Sequence, residues 1–269
     1  MAEFVAVAAR QLPPWLVSLI RGSFWWGLDM LFVVIFFWIY FVGRSLPPDR
    51  VDLSTQNAIG IIDLEKALRI FWEPAWQQAA MKRTMLVDAA NFTYLHLHMP
   101  VLITVSLFAF LADSKKYRLI RNALLLSAFL AWPVYAGFPV TPPRLMEVSG
   151  YPIGMFDTIP DSVRASPGQL ANWYAAVPSY HFGWLALCVG GVWWCWKNWM
   201  VRVGSVVFAS WMWWSIVVTG NHYFLDMLAG VAMVSLAFAL ALKFERWAQR
   251  NPEKAARFTI RAGPLRLPF

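Results

Sequence analysis

Only four histidines occur in 269 residues, and two of them sit where they could do chemistry. His222 and Asp226 fall four apart in Thr219-Gly220-Asn221-His222-Tyr223-Phe224-Leu225-Asp226, so on a helix both side chains share one face. An Asp beneath a His holds the ring and stabilises its protonated form, as an activated nucleophile or base requires. His181 heads another apolar run, in Pro178-Ser179-Tyr180-His181, and Arg144 follows the pair Pro142-Pro143. Brought together, these three places would make a phosphate site.

What could bring them together is a membrane. Apolar residues make up 59% of the chain and charged ones 14%, against about 25% charged in soluble domains. The apolar content is concentrated in runs, as a bilayer requires. The expected fold is all-α, a single polytopic membrane domain of residues 1–269 with six transmembrane helices, an amphipathic interfacial helix and a long extracytoplasmic loop. The net charge of +8 reports membrane orientation rather than a nucleic-acid partner. Cys188 and Cys195 share one apolar run, so they read as small buried residues, neither disulfide nor metal pair. The Ala-rich N-terminus, interrupted by Arg10, Pro13 and Pro14, reads as an interfacial segment.

Spans are expected at 24–43, 93–112, 119–138, 179–196, 199–218 and 223–242. Asp29, near the start of the first, reads as interfacial. Between the first two spans, Ile61, Leu64, Leu68, Phe71 and Trp72 recur at helical spacing with acid and base opposite. This predicts an interfacial helix over 59–73, flat on the membrane or packed over the span ends, that Pro74 ends or kinks. The second span opens with Asn91, Tyr94, His96 and His98, polar for a membrane helix. His96 and His98 point to opposite sides of a helix, so they suit polar packing or substrate contact better than a metal pair. No metal or other cofactor is expected. Pro139 to Val177 is the longest polar connection, of the kind that forms lids and binding loops. Residues 243–269 form a basic, cytoplasmic tail.

With both termini in the cytoplasm, 15 of the 23 Lys and Arg residues lie inside, as the positive-inside rule expects. Spans four and six then both enter from outside, which puts His181 and His222 at one depth. Arg144 and the stretch from Asn91 to His98 lie on that side too. First-turn N–H groups favour an anion there, Ser179 and Asn221 can cap or donate, and Arg144 adds a planar cation.

Pro-Ser-x-His followed by His-x-x-x-Asp resembles the type 2 phosphatidic acid phosphatase superfamily. The fuller resemblance is to its inositolphosphotransferase branch, which includes inositol phosphorylceramide synthase. It rests on Asn91-Phe92-Thr93-Tyr94, His98-Met99-Pro100, Phe138 to Arg144, Pro178 to His181, and His222 to Asp226, and extends over roughly residues 59–230. The resemblance implies His222 as the nucleophile that accepts the phosphoryl group, Asp226 as its orienter and His181 as the acid that protonates the leaving oxygen. It implies substrate contacts by Arg144, Ser179, Tyr180, Asn221, Asn91, Tyr94 and His98, with Tyr180 standing where many phosphatases have Gly. Two departures matter. Phosphatases of the superfamily carry an Arg six residues before the nucleophile, where this chain has Ile216. Their Lys and Arg-Pro motif has no full counterpart, because Lys115 to Arg121 fall on the cytoplasmic side.

The function expected is a lipid phosphotransferase of the bacterial plasma membrane, using a phosphohistidine and an alcohol or polyol acceptor. Its partners are a lipid phosphate and membrane lipids. A lipid phosphate phosphatase, with water as acceptor, is the close alternative. A non-catalytic lipid-binding scaffold or transporter subunit is the competing class, since histidines at helix starts also serve as polar anchors. Transporters place polar groups near mid-membrane, where these spans are clean.

Overall fold

Inside a bilayer the backbone must satisfy its own hydrogen bonds, so long apolar runs become helices. The computed structural model describes residues 13–46, 49–160, 172–255, 261–262 and 265–266, and it is predominantly helical. The N-terminal piece around Arg10, the middle of the long loop and parts of the basic tail lie outside the described residues. The chain divides into two units, residues 1–40 and 41–269.

Helix α1, Pro14–Ser45, contains the expected first span. The predicted interfacial helix is instead two helices, α2 (Val51–Ala67) and α3 (Glu73–Met81). Arg69, at φ +60°, turns the chain between them. Pro74 sits in the first turn of α3, where its missing N–H is harmless, so it starts a helix rather than ending one. The faces are only partly as expected: Asp63, Lys66 and Arg69 face out and Ile61 and Phe71 pack inward. Ser54, Thr55, Ala58, Ile62 and Glu65 point inward, while Leu64, Leu68 and Trp72 are each more than half exposed. Next to lipid an apolar side chain loses nothing by facing out, whereas a carboxyl must find partners inside.

Helix α4 (Thr84–Phe92), a π-turn (Thr93–Leu97) and α5 (His98–Ala112) form one continuous rod, longer at its start than expected. Pro100 cannot donate to the carbonyl of His96, and its ring crowds that carbonyl. The wider π-turn relieves the conflict, as such bulges do. Helix α6, Ser114–Gly137, is capped by Asp113, which accepts from the N–H groups of Lys115 and Lys116 at 3.0 and 3.2 Å. Helices α7 (Tyr180–Cys195), α8 (Trp199–Val218) and α9 (Phe224–Arg250) follow. A short antiparallel pair, Arg261–Ala262 with Leu265–Arg266, lies in the tail.

Five of these stretches are long and apolar enough to cross a membrane: Trp26–Ser45, Thr84–Ala112, Ser114–Gly137, Trp199–Val218 and Phe224–Arg250. The fourth expected span, α7, has 16 residues and rises only about 24 Å, short of a hydrocarbon core of about 30 Å.

Helix α9 packs against α6 and α7, and α7 against α8. Two glycines set the α7–α9 approach. A Cβ on Gly230 would fall 2.1 Å from the carbonyl oxygen of Ser179, and one on Gly183 would fall 2.8 Å from that of Gly230. Small residues allow this closeness between membrane helices, and it brings the starts of α7 and α9 side by side.

Candidate active site

The backbone joins the two helix starts directly, because Ser179 N–H donates to the carbonyl of Asp226 at 3.0 Å. The rings of His181 and His222, 41 positions apart in the chain, lie with centroids 5.7 Å apart and tilted by 52°. One phosphoryl group between them could touch both.

His222 is held through Nδ1. That atom lies 2.9 Å from the carbonyl oxygen of Ala176 and 3.4 Å from Asp226 Oδ2. A carbonyl only accepts, so Nδ1 carries a hydrogen, and in the neutral ring Nε2 is then the nitrogen with the lone pair. This is the tautomer a nucleophile needs. The Ala176 carbonyl is placed by the loop: Val140 N–H donates to Tyr174 O at 2.7 Å, and Ala176 N–H to Val140 O at 3.4 Å. Thr141 N–H in turn donates to Ser54 O at 3.1 Å, so α2 anchors the loop.

His181 sits in an aromatic box. The Tyr94 ring is 4.4 Å from it and the His98 ring 4.8 Å, and His98 also stacks on Trp184 at 6.1 Å. Tyr94 lies in the π-turn and His98 directly follows it, so the local winding sets which side chains meet His181. Its neighbour Ser179 is fully buried, and its Oγ has no hydrogen-bond partner. The N–H groups of Tyr180, His181 and Phe182 have no acceptor among the described residues. The start of α7 therefore offers unspent donors and the positive end of a helix dipole.

The start of α9 differs from the expected anion site. Its amides are already taken by carboxyls: Tyr223 N–H by Asp226 at 2.9 Å, Phe224 N–H by Glu73 at 3.0 Å and Leu225 N–H by Glu65 at 2.8 Å. No donor in that run remains for a phosphate. Both glutamates are fully buried. Burial and mutual proximity push the Glu65 carboxyl up to about 9, and burial raises that of Glu73.

Arg144 stands beside the His222 turn, but it is less free than expected. Its Nε donates to Asn221 Oδ1 at 3.0 Å and its Nη1 to Asp157 Oδ2 at 2.9 Å, with Trp173 5.1 Å from the guanidinium carbon. Nη2 alone has no acceptor among the described residues. Gly220, at φ +69°, makes room for it: a Cβ there would lie 2.9 Å from that of Arg144. Asp157 thus neutralises part of the cation.

Three of the expected contact residues are spent on structure. Asn221 uses both ends of its amide, on Arg144 and on Thr219 Oγ1 at 2.8 Å. Asn91 donates to Thr158 O at 2.7 Å and accepts from its hydroxyl at 3.3 Å, which steadies the turn carrying Asp157. Tyr180 stacks on Trp184 at 4.7 Å and donates its hydroxyl to the Ser127 carbonyl, so its ring is committed to α6.

The structure adds groups with no motif signal. Glu65, Glu73 and Asp157 are three. Arg44 is another: it lies over Tyr135 at 5.4 Å and donates to the Asn172 carbonyl at 3.4 Å. The departures are explained locally. Ile216 is buried with Leu185, Met212 and Phe224, a place unfit for a cation. Lys115 to Arg121 occupy the first turns of α6, about 24–33 Å along that helix from its end, where the loop that carries Arg144 begins. Among the described residues no group of His, Cys, Asp and Glu could hold a metal ion.

The model of one protein family, described as the PAP2 superfamily, matches residues 59–240. No curated protein and no solved structure matches the chain.

Proposed function

The chain belongs to the PAP2 superfamily, and on that footing we propose that it is a membrane-embedded lipid phosphotransferase working through a phosphohistidine. In this reading α7 is a sixth, short span, both termini are cytoplasmic, and the histidines face the outer surface of a bacterial plasma membrane. The branch it resembles, the inositolphosphotransferases, sets the expectation of a polyol or other alcohol as acceptor.

In the first step His222 Nε2 attacks phosphorus, an N–P bond forms and the P–O bond to the leaving group breaks. His181 gives its proton to the departing oxygen. In the second step His181 takes a proton from the acceptor hydroxyl, whose oxygen displaces His222 from phosphorus. The intermediate divides one hard displacement into two easier ones. As the N–P bond forms the imidazole becomes cationic, and Asp226 answers that charge. Ser179 Oγ, the free amides at the start of α7 and Nη2 of Arg144 would receive the phosphate oxygens.

The observation that carries this reading is His222 anchored through Nδ1 on the Ala176 carbonyl, with its ring 5.7 Å from that of His181. The test is to incubate purified protein with labelled lipid phosphates, with and without candidate alcohols, and to identify products by mass spectrometry. Transfer predicts a new phosphate ester of the alcohol, formed only when the alcohol is present. Release of free phosphate or lipid alcohol whatever the acceptor would make the protein a phosphatase. No turnover of any lipid phosphate would contradict both.

A further inference from the structure

Glu65 and Glu73 come from two different helices outside the expected site, and both end at the same turn. Each presents one carboxylate oxygen, Oε1, to a successive amide of α9: Leu225 for Glu65 and Phe224 for Glu73. Asp226 Oδ2 takes the preceding amide, that of Tyr223. Three consecutive N–H groups directly after His222 are therefore gripped by three carboxyls from three helices. The remaining oxygens, Oε2 of Glu65, Oε2 of Glu73 and Oδ1 of Asp226, are buried with no hydrogen-bond partner among the described residues.

Two carboxylates cannot both stay ionised at such a place. Burial without water penalises each charge, and each charge penalises the other. An acid beside a carboxylate resolves this, since the protonated member can donate to its neighbour and satisfy the stray oxygens of both glutamates.

We propose that Glu65 and Glu73 share one proton and act as a pair of positioning residues that fix the His222 turn from the side of α2 and α3. The inference rests on the reading of His222 as nucleophile only for its effect on turnover. Among the described residues the titratable groups facing the pair are Asp226 and Tyr223 from α9. The pair therefore adds a single negative charge behind Asp226, on the side where His222 must carry a positive one once phosphorylated.

The shared proton has a thermodynamic signature that does not depend on activity. The folded pair holds a proton that an unfolded glutamate, with its ordinary value of 4.5, gives up. The stability this confers is complete below about pH 4.5 and is lost as pH rises towards 9. Glu65→Gln keeps an acceptor for Leu225 and supplies a permanent donor to Glu73, so it mimics the protonated state.

The experiment is thermal unfolding of the full chain in detergent, followed by tryptophan fluorescence between pH 5 and 9, for wild type, Glu65→Gln, Glu73→Gln and Glu65→Ala. The wild-type Tm should fall across this range more steeply than that of either Gln variant. Glu65→Gln should keep kcat within about threefold, whereas Glu65→Ala should lower kcat about 10-fold or more with little change in KM. Equal pH slopes for wild type and both Gln variants would overturn the shared proton, and an unchanged kcat in Glu65→Ala would overturn the positioning role. If Glu65→Ala does not fold, the slopes of the Gln variants still decide. Neither failure touches the assignment of His222, which stands or falls with His222→Ala.

Discussion

The starts of α7 and α9 lie side by side and each bring one histidine, yet they are finished in opposite ways. At α9 the amides of residues 223 to 225 are filled by Asp226, Glu73 and Glu65. At α7 the amides of residues 180 to 182 and a buried hydroxyl, Ser179 Oγ, have no partner among the described residues. A filled helix start is rigid and negative, which suits a ring that must hold still and become cationic. An open start is positive and has donors to give, which suits a phosphate. Division of labour follows from capping, not from the histidines themselves.

The comparison is broken most severely at the nucleophile. His222→Ala should lower turnover on the order of 10³-fold or more, measured as product formed from a labelled lipid phosphate, with the fold intact. His181→Ala should cost about 10²- to 10⁴-fold, the usual range for a general acid. That loss should shrink for substrates with an acidic leaving group, which need no proton. A loss of the same size for both kinds of leaving group would remove His181 from the acid role.

The two helix starts should also separate in kinetics. At α9, Asp226→Asn should lower kcat about 100-fold with little effect on KM, because it weakens support for the cationic ring. At α7, Ser179→Ala should mainly raise KM, by about 10-fold, the worth of one hydrogen bond to a charged oxygen. Reversed signatures would mean that the phosphate sits at α9 after all. Between them, Gly230→Ala presses a methyl into the Ser179 carbonyl and should destabilise the protein by about 1–3 kcal/mol. A lowered Tm, with activity lost in proportion, would show that the close approach matters. Activity should also follow a bell-shaped pH curve, with neutral His222 needed on one limb and protonated His181 on the other.

Much of this was legible in the residues. Hydropathy and loop charge alone put His181 and His222 at one depth, and the structure sets their rings 5.7 Å apart. Five of the expected spans have helices long and apolar enough to cross, and 199–218 matches α8 end to end. What stayed hidden has a common physical cause. The amphipathic pattern of 59–73 predicts charge on one face only, whereas Leu64 and Leu68 face out together with Asp63 and Lys66, and Glu65 turns in. The break at Arg69 carries no Gly or Pro to announce it. The Ala176 carbonyl that sets the His222 tautomer is backbone, and no side-chain pattern reports it. Arg144 was visible as a cation, but its partner Asp157 lies 13 residues on in an irregular loop, where spacing says nothing about contact.

The most direct test of the account is to trap the intermediate: react the protein with lipid phosphate in the absence of an alcohol acceptor, digest it without acid, and map the phosphorylated residue by mass spectrometry. The account predicts phosphate on His222, absent in His222→Ala and discharged when the acceptor is added. Phosphate on His181 instead, or full turnover by a protein whose His222 never carries phosphate, would contradict it.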